Sequence, residues 1–134
     1  MAEQVDTLSK YGQSFQSKVV SALITDGKFL DTISEINNPK FFENDANKWI
    51  ISEIINYHNE YRKAPTLDVF KSQLSKVDNE VLKKTVVEQL RHVFTQVGNV
   101  DLEYIKDEFT NFCKNQNLKN AIHISFFLVL LKRI

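Results

Sequence analysis

Helix breakers are scarce in this chain: its 134 residues include three glycines and two prolines. With so few interruptions, the apolar residues between them decide the fold. They recur every three or four positions, the repeat that lines one face of an α-helix. A sheet of many short strands needs more turn residues than this. The sequence therefore predicts an all-α fold of six or seven helices. A compact orthogonal helical bundle is expected over 1–77, followed by a helical hairpin over 78–120 and an atypical apolar tail over 121–134.

The first helix is expected over 13–25, with Phe15, Val19, Ala22 and Leu23 on one stripe and Val20 and Ile24 widening it. Asp26 and Gly27 should close it, the glycine supplying a left-handed residue. A second helix over 27–36 would turn Leu30, Ile33 and Ile36 inward. Asn37-Asn38-Pro39 then forces a turn, because a residue before proline avoids the helical region. Phe41 and Phe42 follow at once and should plug the core. A third helix over 45–61 carries Trp49, Ile50, Ile51, Ile54, Ile55 and Tyr57 around much of its circumference, which makes it the expected centre of the globular part. After a loop at Arg62-Lys63-Ala64-Pro65, Thr66 suits an N-cap and Asp68 the first turn of a fourth helix. Leu67, Phe70 and Leu74 should face inward.

Beyond residue 77 the pattern thins to single seams. Asp78 is expected to cap a helix to about 96 with apolar positions Leu82, Val86, Leu90, Val93 and Val97. A turn at Gly98-Asn99 leads to a helix with Leu102, Ile105, Phe109 and Phe112 at coiled-coil-like spacing. A hairpin this thin buries little by itself. Val86, Leu90, Val93, Leu102, Ile105, Phe109 and Phe112 are therefore the candidate partner-binding residues, and a homo-oligomer is expected.

Composition and charge narrow the function. Lys+Arg and Asp+Glu are both 17, giving a formal net charge of +0 and a pI of about 6.8. Duplex binding usually shows a basic patch, because phosphate contacts dominate affinity, so little direct nucleic-acid binding is expected. The single Cys113 cannot form an internal disulfide, and the N-terminus has no basic start followed by an apolar run. A soluble cytoplasmic protein fits. Gly12, Gly27 and Gly98 stand too far apart for the phosphate loop of an ATPase. His58, His92 and His123 lack a His or Cys partner one helical turn away, so each reads as a surface or half-buried helix residue, and no metal or other cofactor is expected. Glu53 with Glu60, and Asp107 with Glu108, are the carboxylate pairs that spacing alone allows for acid–base work. Trp49, the one stacking platform on offer to a base, sits amid isoleucines and reads as core.

The landmarks of the first half occur in a specific order. An apolar first helix (Val19, Val20, Leu23, Ile24) stops at Asp26-Gly27, and Phe29-Leu30 opens the second. An Asn38-Pro39-x-Phe41-Phe42 corner precedes the helix centred on Trp49, and Pro65-Thr66-Leu67 starts the fourth. In this order and spacing the block 17–74 resembles the N-terminal domain of replicative DNA helicases of the DnaB family, in the divergent form that phages carry. The resemblance implies a non-catalytic collar domain, without the ATPase motor, acting in a bacterial host cell. Such a domain assembles as a dimer or ring through a helical hairpin and docks the primase or a helicase loader. The alternative is a stand-alone helicase- or primase-binding protein or inhibitor of the same fold, since the helicase-binding domain of bacterial primases is similar in architecture.

The resemblance stops at about residue 121. The run 122–131, IHISFFLVLL, is almost wholly apolar and ends in Lys132-Arg133-Ile134. Ten residues are too few to span a bilayer, which needs about twenty. Two readings stay open: a gene interrupted there and read past the break, or an extension of the hairpin helix that buries itself in a dimer.

Overall fold

A computed structural model of the chain describes residues 6–95 and 101–133. The expected turn at Gly98-Asn99, and Val97 before it, lie outside the described residues. The protein is an all-α bundle with no strand among the described residues. A 3-10 turn (Leu8–Tyr11) leads into α1 (Gly12–Thr25), α2 (Gly27–Ile33), a second 3-10 turn (Pro39–Phe41), α3 (Asp45–Tyr61), α4 (Leu67–Leu74), α5 (Glu80–Phe94) and α6 (Leu102–Lys132).

Most helix starts are capped by a short polar side chain. The side chains of Asp26, Asn44, Thr66 and Asn79 accept from the backbone amides of Phe29, Asn47, Val69 and Leu82 at 3.1, 2.7, 3.4 and 3.1 Å. Such a cap contributes about 1 kcal/mol, because it satisfies an amide that the helix leaves without a partner. The α5 cap is Asn79 rather than the expected Asp78. Gly27 does not supply a left-handed stop. It is the first residue of α2, and Asp26 serves both as the end of α1 and the cap of α2. Positive φ is found instead at Gly12 (84°) and at Arg62 (59°), the residue that ends α3.

The centre of the bundle is α1, not α3. Phe15, Gln16, Ser17, Val19, Val20, Ser21, Ala22 and Leu23 of α1 are all buried, on more than one side of the helix. Its neighbours are the first 3-10 turn, α2, α3, α5 and α6. On α3 the buried residues are Ala46, Asn47, Ile50, Ile51, Ile54 and His58, while Trp49, Ile55 and Tyr57 are partly exposed, so α3 forms a wall. Small Ser17, Ser21 and Ala22 let other helices approach α1 closely. Polar atoms that this burial would strand are tied across elements. The Gln16 amide donates to Glu43 Oε1 (2.7 Å) and accepts from Glu43 N (3.1 Å), and Gln89 donates to Ser17 Oγ and Asn47 Oδ1, both at 2.9 Å.

One hydrophobic core runs from Leu8 to Cys113, across the boundary expected at residue 77. Val86, Leu90 and Val93 of α5 pack with it, α5 lying against α3 and α1. Ile105, Phe109, Phe112 and Cys113 of α6 close its other side, against α1 and α2. The Asn38-Pro39 corner explains the fit. It turns Phe41 onto Phe112 (centroids 5.1 Å) and Phe42 onto Phe109 (5.9 Å), while Phe29 meets Phe109 at 6.3 Å. A second row, Trp49–Phe70 (6.5 Å) and Phe70–Phe94 (6.3 Å), ties α3, α4 and α5. Phe70 and Leu74 face inward as their spacing predicts, but Leu67 is exposed.

Candidate interaction surface

The seven residues expected to bind a partner do not form a free surface. Val86, Leu90, Val93, Ile105, Phe109 and Phe112 are buried in the chain's own core, and Leu102 is half-buried against it. Each seam is a narrow apolar stripe, as its spacing indicates. What covers it is the chain's own α1, α2 and α3 rather than a second copy.

The unpartnered apolar surface lies further along α6. This helix has 31 residues, about 46 Å at 1.5 Å per residue. Its last buried residue is Gln116. The helix leaves the body through polar ties. Gln116 Nε2 and Lys119 Nζ reach Asp6 Oδ2 at 3.1 and 2.8 Å, and Asn117 Nδ2 donates to the Ile36 carbonyl at 3.2 Å. The hydrogen bond from Lys119, then that from Gln116, hold the Asp6 carboxyl below the usual carboxylate range. Past that point Leu118, Ile122, Ile124 and the run 126–131 are 45–63 % exposed. Tail and hairpin helix are thus one unbroken α-helix, half embedded and half projecting.

A groove of about 530 Å³ opens where the arm leaves the body, between the first 3-10 turn and α6. Asp6, Lys10, Tyr11, Glu108, Leu118 and Ile122 are among its lining residues, so its floor is polar and its outer edge merges with the apolar arm. A smaller groove of about 300 Å³ lies between α3 and α4 and contains both Glu53 and Glu60, with the Tyr57 and Tyr61 rings 4.5 Å apart and tilted by 39°. There Glu53 accepts from Gln73 Nε2 at 3.3 Å, which ties α3 to α4. Asp107 and Glu108 diverge, Glu108 alone reaching the larger groove.

Lys106 makes two ion pairs on the body. Lys106 Nζ lies 2.8 Å from Asp26 Oδ2 and 2.9 Å from Glu103 Oε1. The Lys106 hydrogen bond, then the Phe29 amide, lower the Asp26 carboxyl, while Asp26 and Glu103 in turn raise the Lys106 ammonium. Burial pushes the Cys113 thiol up to about 12, which removes the thiolate needed for nucleophilic chemistry at neutral pH.

His58, expected at a surface or half-buried position, lies on α3. The structure buries it and sets its Nε2 2.7 Å from Asp31 Oδ1, joining α3 to α2. Its Nδ1 is buried without a partner among the described residues. No group of three or more His, Cys, Asp and Glu that could hold a metal occurs among the described residues. No helix among them is long and apolar enough to cross a membrane. The surface is that of an all-α bundle with one projecting apolar helix. Comparison with known protein families, curated proteins and solved structures yields no significant match.

Proposed function

We propose that the chain is a non-catalytic collar-type domain of a phage replicative DNA helicase, which docks the primase or a helicase loader and serves self-assembly of the motor. The observation that carries this reading is the use made of the Asn38-Pro39-x-Phe41-Phe42 corner. The corner sits between α2 and α3, and its two aromatic rings lock α6 onto the bundle. Pro65-Thr66-Leu67 likewise starts α4 with a working Thr66 cap. These are the residues that carry the likeness to the DnaB-type collar, and each has a structural job here that accounts for its spacing. The charge balance supports docking to protein over docking to nucleic acid.

The direct test is calorimetric titration of the chain with the primase and, separately, the helicase loader encoded in the same genome. Saturable one-to-one binding to either is the expected result, at micromolar affinity or about 8 kcal/mol. No heat with either, at concentrations where the chain is folded, overturns the proposal. One observation favours the stand-alone reading as runner-up: α6 continues as a single helix through residue 121, where the resemblance stops. The genomic DNA following the codon for Ile134 separates the two readings. A phosphate-loop motif there in any frame supports the collar of a motor, and its absence supports a separate helicase- or primase-binding protein.

A further inference from the structure

The nine large apolar side chains between Leu118 and Leu131 expose on the order of 900 Å², judged from their fractional exposures and full-size side-chain areas. The largest apolar patch of an ordinary monomer is about 300–600 Å², and each partner in a stable interface contributes about 800 Å². The arm alone therefore carries enough surface for one complete interface. At 100° per residue, Phe127, Leu131, Ile124, Leu128, Ala121 and Leu118 fall on one apolar arc, which continues through Val129 to Ile122 and spans about 220°. Asn120, Ser125 and Lys132 fall within this arc, and Phe126 and Leu130 share the remaining side with Lys119, His123 and Arg133, so the arm is apolar on nearly every side.

A bilayer is a poor occupant for this surface. The ten residues 122–131 reach about 15 Å, half the hydrocarbon core, so end-on insertion would carry Lys132 and Arg133 to the midplane. The arm carries Lys119, Lys132 and Arg133 without an acid, but a helix lying flat on anionic lipid keeps its basic face apart from its apolar one. Here Lys132 falls within the apolar arc, and Phe126 and Leu130 lie among Lys119, His123 and Arg133; the whole chain has a formal net charge of +0. The same neutrality removes the long-range repulsion that keeps like molecules apart.

We infer that the arm of α6 pairs antiparallel with the arm of a second copy of this chain, centred near residue 126. In that register Ala121 lies opposite Leu131, Ser125 opposite Phe127, and Ile124 opposite Leu128. At Ala121–Leu131 and Ser125–Phe127 a small residue faces a large one, the complementarity that lets facing layers interdigitate, and Ile124–Leu128 is an apolar pair between them. A parallel pair would set two copies of Lys132 and Arg133 side by side at one tip. The antiparallel pair sends them to opposite ends, beside the partner's groove, where Asp6, Lys10, Glu108 and Lys119 balance one another. The two bodies also come to lie at opposite ends of the pair, clear of each other. This inference uses only the arm and does not rest on the helicase reading, and loss of self-association leaves the primase titration unaffected as a separate test.

Sedimentation velocity on the full chain, from low micromolar to about 100 µM, is the experiment. The unaltered chain is expected to sediment as a dimer. Leu128→Glu should raise the dissociation constant at least about 100-fold, because pairing would bury an unpaired carboxylate at a cost of several kcal/mol. Leu128 touches no core residue cluster and is 52 % exposed, so helix content and Trp49 emission should be unchanged in the variant. Under oxidising conditions Leu118→Cys should not cross-link, since the two positions would lie about 24 Å apart along the seam. A monomer at the top concentration overturns the inference, as does a Leu128→Glu variant that still dimerises. Efficient Leu118→Cys cross-linking overturns the antiparallel arrangement. Flotation of a monomeric chain with phosphatidylcholine–phosphatidylglycerol vesicles would replace the second copy with a membrane.

Discussion

Replacing Phe109 with alanine tests whether the α6 seam is core or interface. The ring is fully buried and packs against Phe29 at 6.3 Å and Phe42 at 5.9 Å, both reached from the first half of the chain. A Phe→Ala change in such a site costs about 3–5 kcal/mol, the lost transfer of the ring plus the cavity left behind. A domain of this size has about 5–15 kcal/mol in total, so the variant should remain folded but only marginally. With a urea slope of about 2 kcal/mol per molar, the unfolding midpoint should fall by about 2 M. The assay is urea unfolding at low micromolar protein, followed in parallel by circular dichroism and by Trp49 fluorescence. Because one core spans both halves, the two probes should report the same shifted midpoint. If Phe109 lay in an intermolecular seam, its loss would change the sedimentation coefficient and leave the Trp49 transition in place. A shift under about 0.5 M, or two separated transitions, would refute the single-core reasoning.

Two further outcomes follow from the charge and thiol environments. Asp26 is held below its ordinary value of 3.8 by the Lys106 hydrogen bond, so its contribution is full above that value and is lost as pH falls through the lower, folded one. Asp26→Asn should therefore cost about 1 kcal/mol at pH 7, through the weakened cap and the partly screened ion pair, and the difference from the unaltered chain should shrink as pH falls well below 3.8. Lys106 is raised above 10.5 in the same pair, so that part of the stability persists through neutral pH and fails as pH rises past the folded value. Cys113 is buried with its thiol pushed up to about 12, and it should react with a disulfide reagent at pH 8 only as fast as the bundle opens. Fast stoichiometric labelling of the folded chain would contradict the placement of Cys113 against the core.

Much of the helix layout is legible locally. Apolar spacing gives α3 its observed limits, Asp45–Tyr61, and cap chemistry marks Thr66 as the start of α4. These signals live within one or two turns of chain, where periodicity and short polar side chains act. The misplaced features all depend on distant residues. Periodicity shows that α5 and α6 each carry a stripe, but not that α1 and the Phe41-Phe42 corner supply its cover. The many apolar residues of α3 suggest a hub, while α1 is chosen because Ser17, Ser21 and Ala22 admit close neighbours, a property visible only once the neighbours are placed. His58 looks like a surface residue because its partner Asp31 stands 27 positions away. Asp78 and Asn79 are both good caps, and choosing between them requires the register of Val86 and Leu90 against the core.

The two roles of α6 depend on each other mechanically. Ile105, Phe109, Phe112 and Cys113 fix the first half of the helix in the core, and Lys106–Asp26 and Lys119–Asp6 pin it from two sides. The direction of the arm is therefore set by the bundle rather than by a flexible joint. An apolar helix presented rigidly loses less conformational entropy on binding than a tail that must first fold. The coupling also runs in reverse. Any partner that binds only the helical arm favours the folded chain by mass action, and an occupied arm holds the last turns before Gln116 against fraying. Ordering this arm requires the Asn38-Pro39-Phe41-Phe42 corner to be formed, since the corner seats Phe109 and Phe112. If the arm pairs as inferred, assembly through it proceeds from chains whose first half has already folded.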